Sequence, residues 1–227
     1  MLLKLTISLC LIGVSVCVPW EPEPKGGDWI KTHERLLNQT LQHKNDIKLV
    51  FLGDSITNRW VNGDGKAVWD KHYAARHAYD YGVEGDRTEN VLWRIQNKEF
   101  DDITPKALVM LIGTNNLGDC TAPDIAHGIQ EIIHQLGSKL ANTKILLLGV
   151  LPRDGNSGLK AEETNKIIAK FDDKKRVFFL DMSKEFETEP GKVIPDRYGS
   201  DKVHLVLKGY EVWQQTMEPL LKTLLGE

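Results

Sequence analysis

The chain has 227 residues, 41% of them hydrophobic and 27% charged, with a formal net charge of −3. This is the composition of a globular protein, and the length suffices for one domain with a sizeable core. The 29 Lys and Arg residues are scattered and outnumbered by 32 Asp and Glu, so the basic footprint of a nucleic-acid-binding protein is lacking and we expect no nucleic-acid partner.

Residues 1–17 are predicted to be a secretory signal peptide. Lys4 supplies the positive charge, an apolar run follows it, and Ser15-Val16-Cys17 provides a small-residue cleavage site. The apolar run is shorter than the ~20 residues that a membrane span needs. We therefore expect cleavage, no stable membrane span, and a secreted protein in an extracellular or periplasmic location. An uncleaved anchor is the alternative.

The cysteines predict no internal disulfide in the mature chain. Cys10 and Cys17 fall within the predicted signal peptide, which leaves Cys120 as a spare thiol. A domain of this size has enough core to fold without a disulfide. Asn38-Gln39-Thr40 fits the N-glycosylation sequon, which matters only if the secretory route of the host glycosylates.

Residues 18–27, rich in Pro, Glu and Gly, are predicted to be an extended lead-in to a single domain that spans residues 28–227. An amphipathic helix is expected to start near Asp28. A β-branched and apolar run then predicts a buried strand from residue 47, which ends at Gly53-Asp54-Ser55, and a short helix follows. The remaining predicted elements alternate along the chain: helix 67–73, strand 77–83, a helix through 91–95, strand 107–112, helix 125–140, strand 145–150, helix 159–171, strand 177–180, an irregular segment 183–199 and helix 207–224.

This alternation of apolar strands and helices predicts an α/β fold with a parallel sheet covered on both faces. Right-handed crossovers would make it a three-layer α/β/α sandwich with five strands. The sequence shows no internal repeat and no linker after residue 27.

Three of the predicted strands are followed by similar polar turns, Gly53-Asp54-Ser55, Gly85-Asp86 and Gly113-Thr114-Asn115. In a parallel sheet the carboxyl ends of the strands lie along one edge, so these turns are expected to meet at one crevice. Ser55 would lie at a helix N-terminus, where unpaired backbone N–H groups favour developing negative charge.

Acyl transfer through serine needs a nucleophile, a base, a group that orients the base, and donors for the oxyanion. We predict Ser55 as the nucleophile, His204 as the base and Asp201, three residues earlier, as the orienting carboxylate. The predicted oxyanion donors are the backbone N–H groups of Ser55 and Gly85 and the side-chain amide of Asn115. Helix capping and tight turns are the structural alternatives for the same residues.

The sequence predicts no metal and no cofactor. The remaining histidines have no metal-ligand spacing, and His-Glu-x-x-His is absent. Neither a Walker loop nor Gly-x-Gly-x-x-Gly occurs, so a nucleotide would lack its usual backbone cradle.

The sequence resembles the SGNH (GDSL) hydrolase family over nearly the whole predicted mature chain. The resemblance is carried by four blocks in the family's order: Gly53-Asp54-Ser55, Gly85-Asp86, Gly113-Thr114-Asn115-Asn116 and Asp201-x-x-His204. Within the family, residues 82–95 and Leu151-Pro152-Arg153 are most similar to the catalytic subunits of brain-type platelet-activating-factor acetylhydrolases. The resemblance implies a flavodoxin-like sheet in the order 2-1-3-4-5, metal-free ester hydrolysis, and a site made of Ser55, Gly85, Asn115, Asp201 and His204.

The sequence thus predicts a secreted serine esterase that acts on a small-molecule ester. By resemblance, the acyl group is short, acetyl first of all, and the alcohol belongs to a lipid or a carbohydrate. Those acetylhydrolase subunits are cytosolic, so their lipid substrate and partners are not carried over to a chain with a predicted signal peptide. The alternatives are an acetyltransferase that uses the same acyl-enzyme and a secreted binding protein without turnover. A homodimer is left open.

Overall fold

The structure, a computed structural model, describes residues 17–227. The predicted signal peptide therefore lies outside the described residues, except for Cys17. None of the described helices is long and apolar enough to cross a membrane.

The described chain alternates strands and helices. The helices are α1 (Asp28–His43), α2 (Ser55–Asn62), α3 (Lys66–His72), α4 (Thr88–Gln96), α5 (Ala122–Lys139), α6 (Gly155–Ile168), α7 (Ser183–Phe186) and α8 (Leu207–Leu225). The strands are β1 (Leu49–Gly53), β2 (Ala78–Gly82), β3 (Ala107–Leu111), β4 (Lys144–Leu148), β5 (Val177–Leu180), β6 (Glu187–Glu189) and β7 (Lys192–Val193).

The five longer strands form a parallel sheet in the order β2-β1-β3-β4-β5. This order confirms the predicted 2-1-3-4-5 arrangement. Gly53, at the end of β1, pairs in register with Gly82 of β2 on one side and with Leu111 of β3 on the other. The ends of these three strands are therefore neighbours at one edge of the sheet.

Alternate residues of the strands face opposite layers of helices, as the pleat requires. Val50 and Leu52 of β1 belong to a core shared with α1, α4, α5 and α6. Leu49 and Phe51 belong to a second core, shared with α2, α3 and α8. The predicted three-layer α/β/α sandwich is confirmed.

An aromatic cluster fixes α2 against the sheet and α8. Trp60 of α2 is fully buried, and its ring centroid lies 5.9 Å from that of Phe51, 4.7 Å from Tyr210 and 4.9 Å from Trp213. The Tyr210 hydroxyl also donates to the carbonyl of Ile56, at 2.8 Å. The first turn of α2 is thus held both by packing and by a hydrogen bond from the last helix.

Two elements differ from the sequence-based prediction. Helix α6 begins at Gly155 rather than near residue 159, because its first turn, Gly-Asn-Ser-Gly, has no apolar residue to reveal the helical period. The segment 183–199 contains α7 and an antiparallel pair, β6 and β7, that are too short to give a periodic signal.

The prediction that Cys120 is a spare thiol without an internal partner is wrong. Cys17 and Cys120 form a disulfide with Cα atoms 5.4 Å apart, across a sequence separation of 103 residues. The chain after Cys17 lies against α4 and α5, where Trp20 stacks on His127 with centroids 4.5 Å apart. Packing of this segment brings Cys17 to Cys120, although the sequence alone predicts that Cys17 belongs to the signal peptide.

Candidate active site

Ser55 is the first residue of α2 and follows β1 after a single residue. That residue, Asp54, has an extended backbone and caps the helix, because its Oδ1 accepts a hydrogen bond from the N–H of Ile56 at 2.9 Å. Gly53 is required before it, since a Cβ there would lie 2.2 Å from Thr57 Oγ1. In the first turn of a helix the Ser55 N–H has no intrahelical acceptor, so it is available to a ligand.

His204 and Asp201 reach Ser55 from the loop before α8. The two carboxylate oxygens of Asp201 have different partners. Oδ1 accepts hydrogen bonds from the backbone N–H groups of Val203 and His204, both at 3.0 Å. Oδ2 lies 2.6 Å from His204 Nδ1. His204 Nε2 lies 2.9 Å from Ser55 Oγ. The structure therefore brings three of the predicted residues into one hydrogen-bonded series.

The hydrogen bond to Asp201 determines which nitrogen of the His204 ring faces the serine. Burial opposes ionisation of Asp201, but hydrogen bonds from the His204 ring and from two backbone N–H groups outweigh it and hold the pKa of Asp201 well below its usual range. An ionised carboxylate accepts a hydrogen bond from Nδ1–H of the ring. Nε2 is then the nitrogen that accepts the hydrogen bond from the Ser55 hydroxyl. This is the tautomer that a general base needs.

Gly85 and Asn115 lie on the loops that follow the two strands flanking β1. Gly85 has φ of +71°, a backbone conformation that favours glycine, and Asn115 lies in a 3₁₀ turn just after β3. Asn115 Nδ2 donates to the carbonyl of Asp86 at 2.7 Å, so the two loops are joined directly. That bond uses one of the two amide hydrogens and fixes the orientation of the group.

A buried ion network that the sequence does not predict holds Asp86, the residue after Gly85. Arg94 of α4 is fully buried, with its Nε 2.8 Å from Asp86 Oδ2 and its Nη1 paired with Glu99. His33 Nδ1 lies 3.1 Å from Glu99 Oε1, and Trp29 Nε1 donates to Asp86 Oδ1 at 2.6 Å. Burial disfavours the charge of Arg94, but Glu99 and Asp86 outweigh it and raise the pKa of Arg94. The signal that could have revealed the network is an arginine within the apolar stripe of a helix.

Arg153 supports the Asn115 turn from the other side. The residue follows β4 and is half-buried, and its Nη1 donates to Thr114 Oγ1 at 2.8 Å. The turn is thus held from two directions, by Arg153 at Thr114 and by the bond between Asn115 and the Asp86 carbonyl.

One group of side chains has the spacing of metal ligands without the required chemistry. The ligand atoms of Cys17, Asp119 and Cys120 lie within 4.8 Å of one another. The two sulfur atoms are joined in the disulfide, however, and so are not thiolate ligands.

A serine, histidine and aspartate in this hydrogen-bonded order define the class of serine hydrolases, whatever the fold that carries them. The chain belongs to the GDSL-like lipase/acylhydrolase family, which its residues 51–212 match, and it is therefore a hydrolase of the esterase type. This membership confirms the predicted resemblance.

Individual relatives agree with the family. The chain is 30% identical over 206 residues to platelet-activating factor acetylhydrolase IB subunit alpha1 of Homo sapiens, which covers 88% of this chain and 86% of the human protein. It is 33% identical over 138 residues to the alpha2 subunit of Rattus norvegicus, covering 60% of this chain and 58% of the rat protein. The crystal structure of a carbohydrate esterase family 3 protein from Talaromyces cellulolyticus shares the fold with a TM-score of 0.61 at 18% identity, over 79% of this chain and 98% of that one.

Proposed function

We propose that this protein is a secreted serine esterase that removes short acyl groups, acetyl first of all, from a lipid or carbohydrate alcohol. The observation that carries the proposal is the continuous series from Asp201 through His204 to Ser55, with 2.6 Å and 2.9 Å between the bonded atoms. Both distances are within the reach that a nucleophile and its base require.

In the acylation step His204 Nε2 takes the proton of Ser55 as Oγ bonds to the ester carbonyl carbon. The carbonyl oxygen becomes an oxyanion, and the Asp201 carboxylate stabilises the imidazolium that forms. When the tetrahedral intermediate collapses, the carbon–alkoxy bond breaks and His204 returns the proton to the departing alcohol. The acyl group is left as an ester of Ser55.

In the deacylation step a water molecule repeats the sequence. His204 takes a proton from the water, the hydroxide oxygen bonds to the acyl carbon, and the bond to Ser55 Oγ breaks. The serine recovers its proton from His204 and the carboxylic acid leaves. The net reaction consumes one ester and one water and requires no further reactant.

The oxyanion is proposed to bind between the backbone N–H groups of Ser55 and Gly85 and the side-chain amide of Asn115. In support, Ser55 begins a helix, and the ends of the three strands that carry these groups are neighbours in the sheet. Such donors stabilise the transition state because they are oriented before the charge develops; removing one typically costs about 2.7–4 kcal/mol.

A short acyl group is proposed from the relatives. The human and rat proteins are named acetylhydrolases. A carbohydrate esterase shares the fold, which is why the alcohol is proposed to be that of a lipid or of a sugar.

Secretion is proposed from the N-terminal sequence, with a revised cleavage point. Removal of residues 1–17 would delete Cys17, which the disulfide requires. Cleavage after Ser15, with Gly13 as the second small residue, retains it. The mass of the mature secreted chain tests this point: a chain that begins at Val16 supports the revision, and one that begins at Val18 contradicts it.

Hydrolysis of p-nitrophenyl esters of increasing chain length, alongside acetylated sugars, tests the activity and its substrate range. We expect the acetyl ester to be hydrolysed fastest and Ser55→Ala to be inactive with an unchanged circular dichroism spectrum. Ser138→Ala, an exposed serine on α5, is the matched control. Turnover retained by Ser55→Ala would refute the nucleophile, and a preference for long acyl chains would refute the substrate class. Acyl transfer to an added sugar that outpaces hydrolysis would favour an acetyltransferase instead.

A further inference from the structure

Residues Cys17–Lys25, named here the N-terminal strap, run along the outer side of the loop that carries Gly85. Three of its contacts lie in the middle of the strap. The hydroxyl of Thr88 donates to the carbonyl of Pro19 at 2.8 Å, and the N–H of Glu23 donates to the carbonyl of Glu89 at 3.1 Å. Asn90 Nδ2 donates to the carbonyl of Glu23 at 2.9 Å. The strap is therefore bonded to the start of α4, immediately after the Gly85 loop.

At its C-terminal end the strap reaches the loop itself. Lys25 Nζ donates to the carbonyl of Gly85 and lies 3.8 Å from the buried carboxylate of Asp86. The side chain of Lys25 is 33% exposed, so its ammonium group is partly withdrawn from water. A hydrogen bond from a charged donor in such a position is stronger than one between neutral groups.

At its N-terminal end the strap is attached covalently beside the Asn115 turn. The disulfide joins Cys17 to Cys120, and Arg87 Nη2 lies 3.2 Å from Cys120 Sγ. Arg87 Nη1 is also paired with Asp119 at 3.0 Å. One covalent bond and one guanidinium group thus connect the strap to both loops that are proposed to carry oxyanion donors.

The contacts of Lys25 and Asn115 hold two successive peptide groups of the Gly85 loop. Lys25 holds the carbonyl of Gly85, and Asn115 holds the carbonyl of Asp86. Because Gly85 lacks a Cβ and has a positive φ, its backbone has alternative conformations. These contacts disfavour them together with a turn bond, in which the N–H of Asp86 donates to the carbonyl of Val83 at 3.1 Å. The Gly85 N–H belongs to the preceding peptide group, so the two held carbonyls act on its direction indirectly, by keeping the backbone of Gly85 at its positive φ.

We infer that the N-terminal strap is a disulfide-locked brace for the oxyanion site, in which Lys25 is a positioning residue for the Gly85 N–H. The inference rests on the proposed function, because Gly85 has a catalytic role only in an acyl hydrolase. It assigns a role to the Cys17–Cys120 disulfide beyond stability: it keeps the strap, and with it Lys25, in register with the loop.

The test compares four variants with the wild-type mature chain in the hydrolysis of p-nitrophenyl acetate. Lys25→Met removes the donor, Lys25→Arg retains a donor, and Cys17→Ser with Cys120→Ser releases the strap. Lys31→Met, on the exposed side of α1, is the matched control. We expect kcat to fall about 10- to 100-fold in Lys25→Met and in the double cysteine variant, with KM nearly unchanged, because a misplaced oxyanion donor affects the transition state and not substrate binding. Lys25→Arg should recover most of the lost kcat.

Hydrogen exchange of the amides of residues 83–90 gives a second readout that does not depend on turnover. We expect faster exchange in Lys25→Met and in the double cysteine variant than in wild type, while the urea midpoint of Lys25→Met stays unchanged. Wild-type kcat together with wild-type exchange in both variants would overturn the brace. A wild-type chain that is inactive toward esters would instead overturn the proposed function, and unchanged exchange in that case would overturn the brace as well.

Discussion

Asp54, the residue before the nucleophile, makes the stability of the protein depend on pH. Its carboxyl group is fully buried, Oδ1 is committed to the helix cap, and Oδ2 has no hydrogen-bond partner within the described residues. Burial, reinforced by the charges of Asp86 and Glu84, raises the pKa of Asp54 from its ordinary value of 3.8 to about 7. The substitution Asp54→Asn retains the cap and the shape and removes the titration.

Whether the free energy of unfolding rises or falls with pH depends on which state, folded or unfolded, binds the Asp54 proton more tightly. Between pH 3.8 and about 7 the unfolded chain has lost the Asp54 proton while the folded chain keeps it, so the free energy of unfolding falls as pH rises. Above about pH 7 both states are ionised and the loss is complete. Each pH unit between the unfolded and folded pKa values of Asp54 lowers the free energy of unfolding by about 1.36 kcal/mol, so the whole interval lowers it by about 4 kcal/mol. Asparagine has no such loss.

Urea denaturation of wild type and Asp54→Asn at pH 4, 6 and 8 measures this difference. We expect the free energy of unfolding of wild type, relative to the variant, to decrease by about 4 kcal/mol from the lowest pH to the highest, almost independently of salt because the group is buried. A difference between the two proteins that stays constant with pH would show that Asp54 is ionised in the folded state throughout, and the reasoning from burial would be refuted.

Three further substitutions test the site and its support. Asp201→Asn should lower kcat about 10⁴-fold, because an amide does not hold the imidazole in the required tautomer; a loss of less than tenfold would contradict its role. Asn115→Ala should lower kcat about 10²- to 10³-fold with little change in KM, and a change confined to KM would contradict it. Arg94→Met should reduce the free energy of unfolding by about 3–5 kcal/mol, since two buried carboxylates lose their partner. Lys166→Met, at an exposed ion pair, is its control and should change stability little.

Much of the fold was predictable because its determinants are local. The run from Ile47 to Gly53 is apolar and β-branched, and Gly-Asp-Ser ends it with turn chemistry, so strand, turn and helix follow from neighbouring residues. The convergence of Ser55 with the Asp86 and Asn115 loops then follows from sheet topology, because parallel strands end at one edge. His204 is 149 residues from Ser55 along the chain. The prediction that the two residues meet depends on the spacing of Asp201 and His204 and on the family resemblance.

What the sequence did not reveal depends on contacts between distant segments. Arg94 lies within the apolar stripe of α4, close in sequence to the two carboxylates that pair with it. Only the fold brings Trp29 and His33 of α1 to those carboxylates. The sequence does not predict the disulfide, because Cys17 lies at the edge of an apolar run typical of a signal peptide, where composition favours removal of the residue. Its pairing with Cys120 depends on the path of residues 17–25, a stretch with no periodic pattern.

Covalent labelling with diethyl p-nitrophenyl phosphate tests the proposed nucleophile most directly. An activated serine displaces p-nitrophenol and keeps the diethylphosphoryl group, and mass spectrometry of peptides then locates the modified residue. We predict one label per chain, on Ser55, with slow labelling in His204→Ala and none in Ser55→Ala. A label on another residue, or equally fast labelling of Ser55 after His204 is removed, would contradict the account.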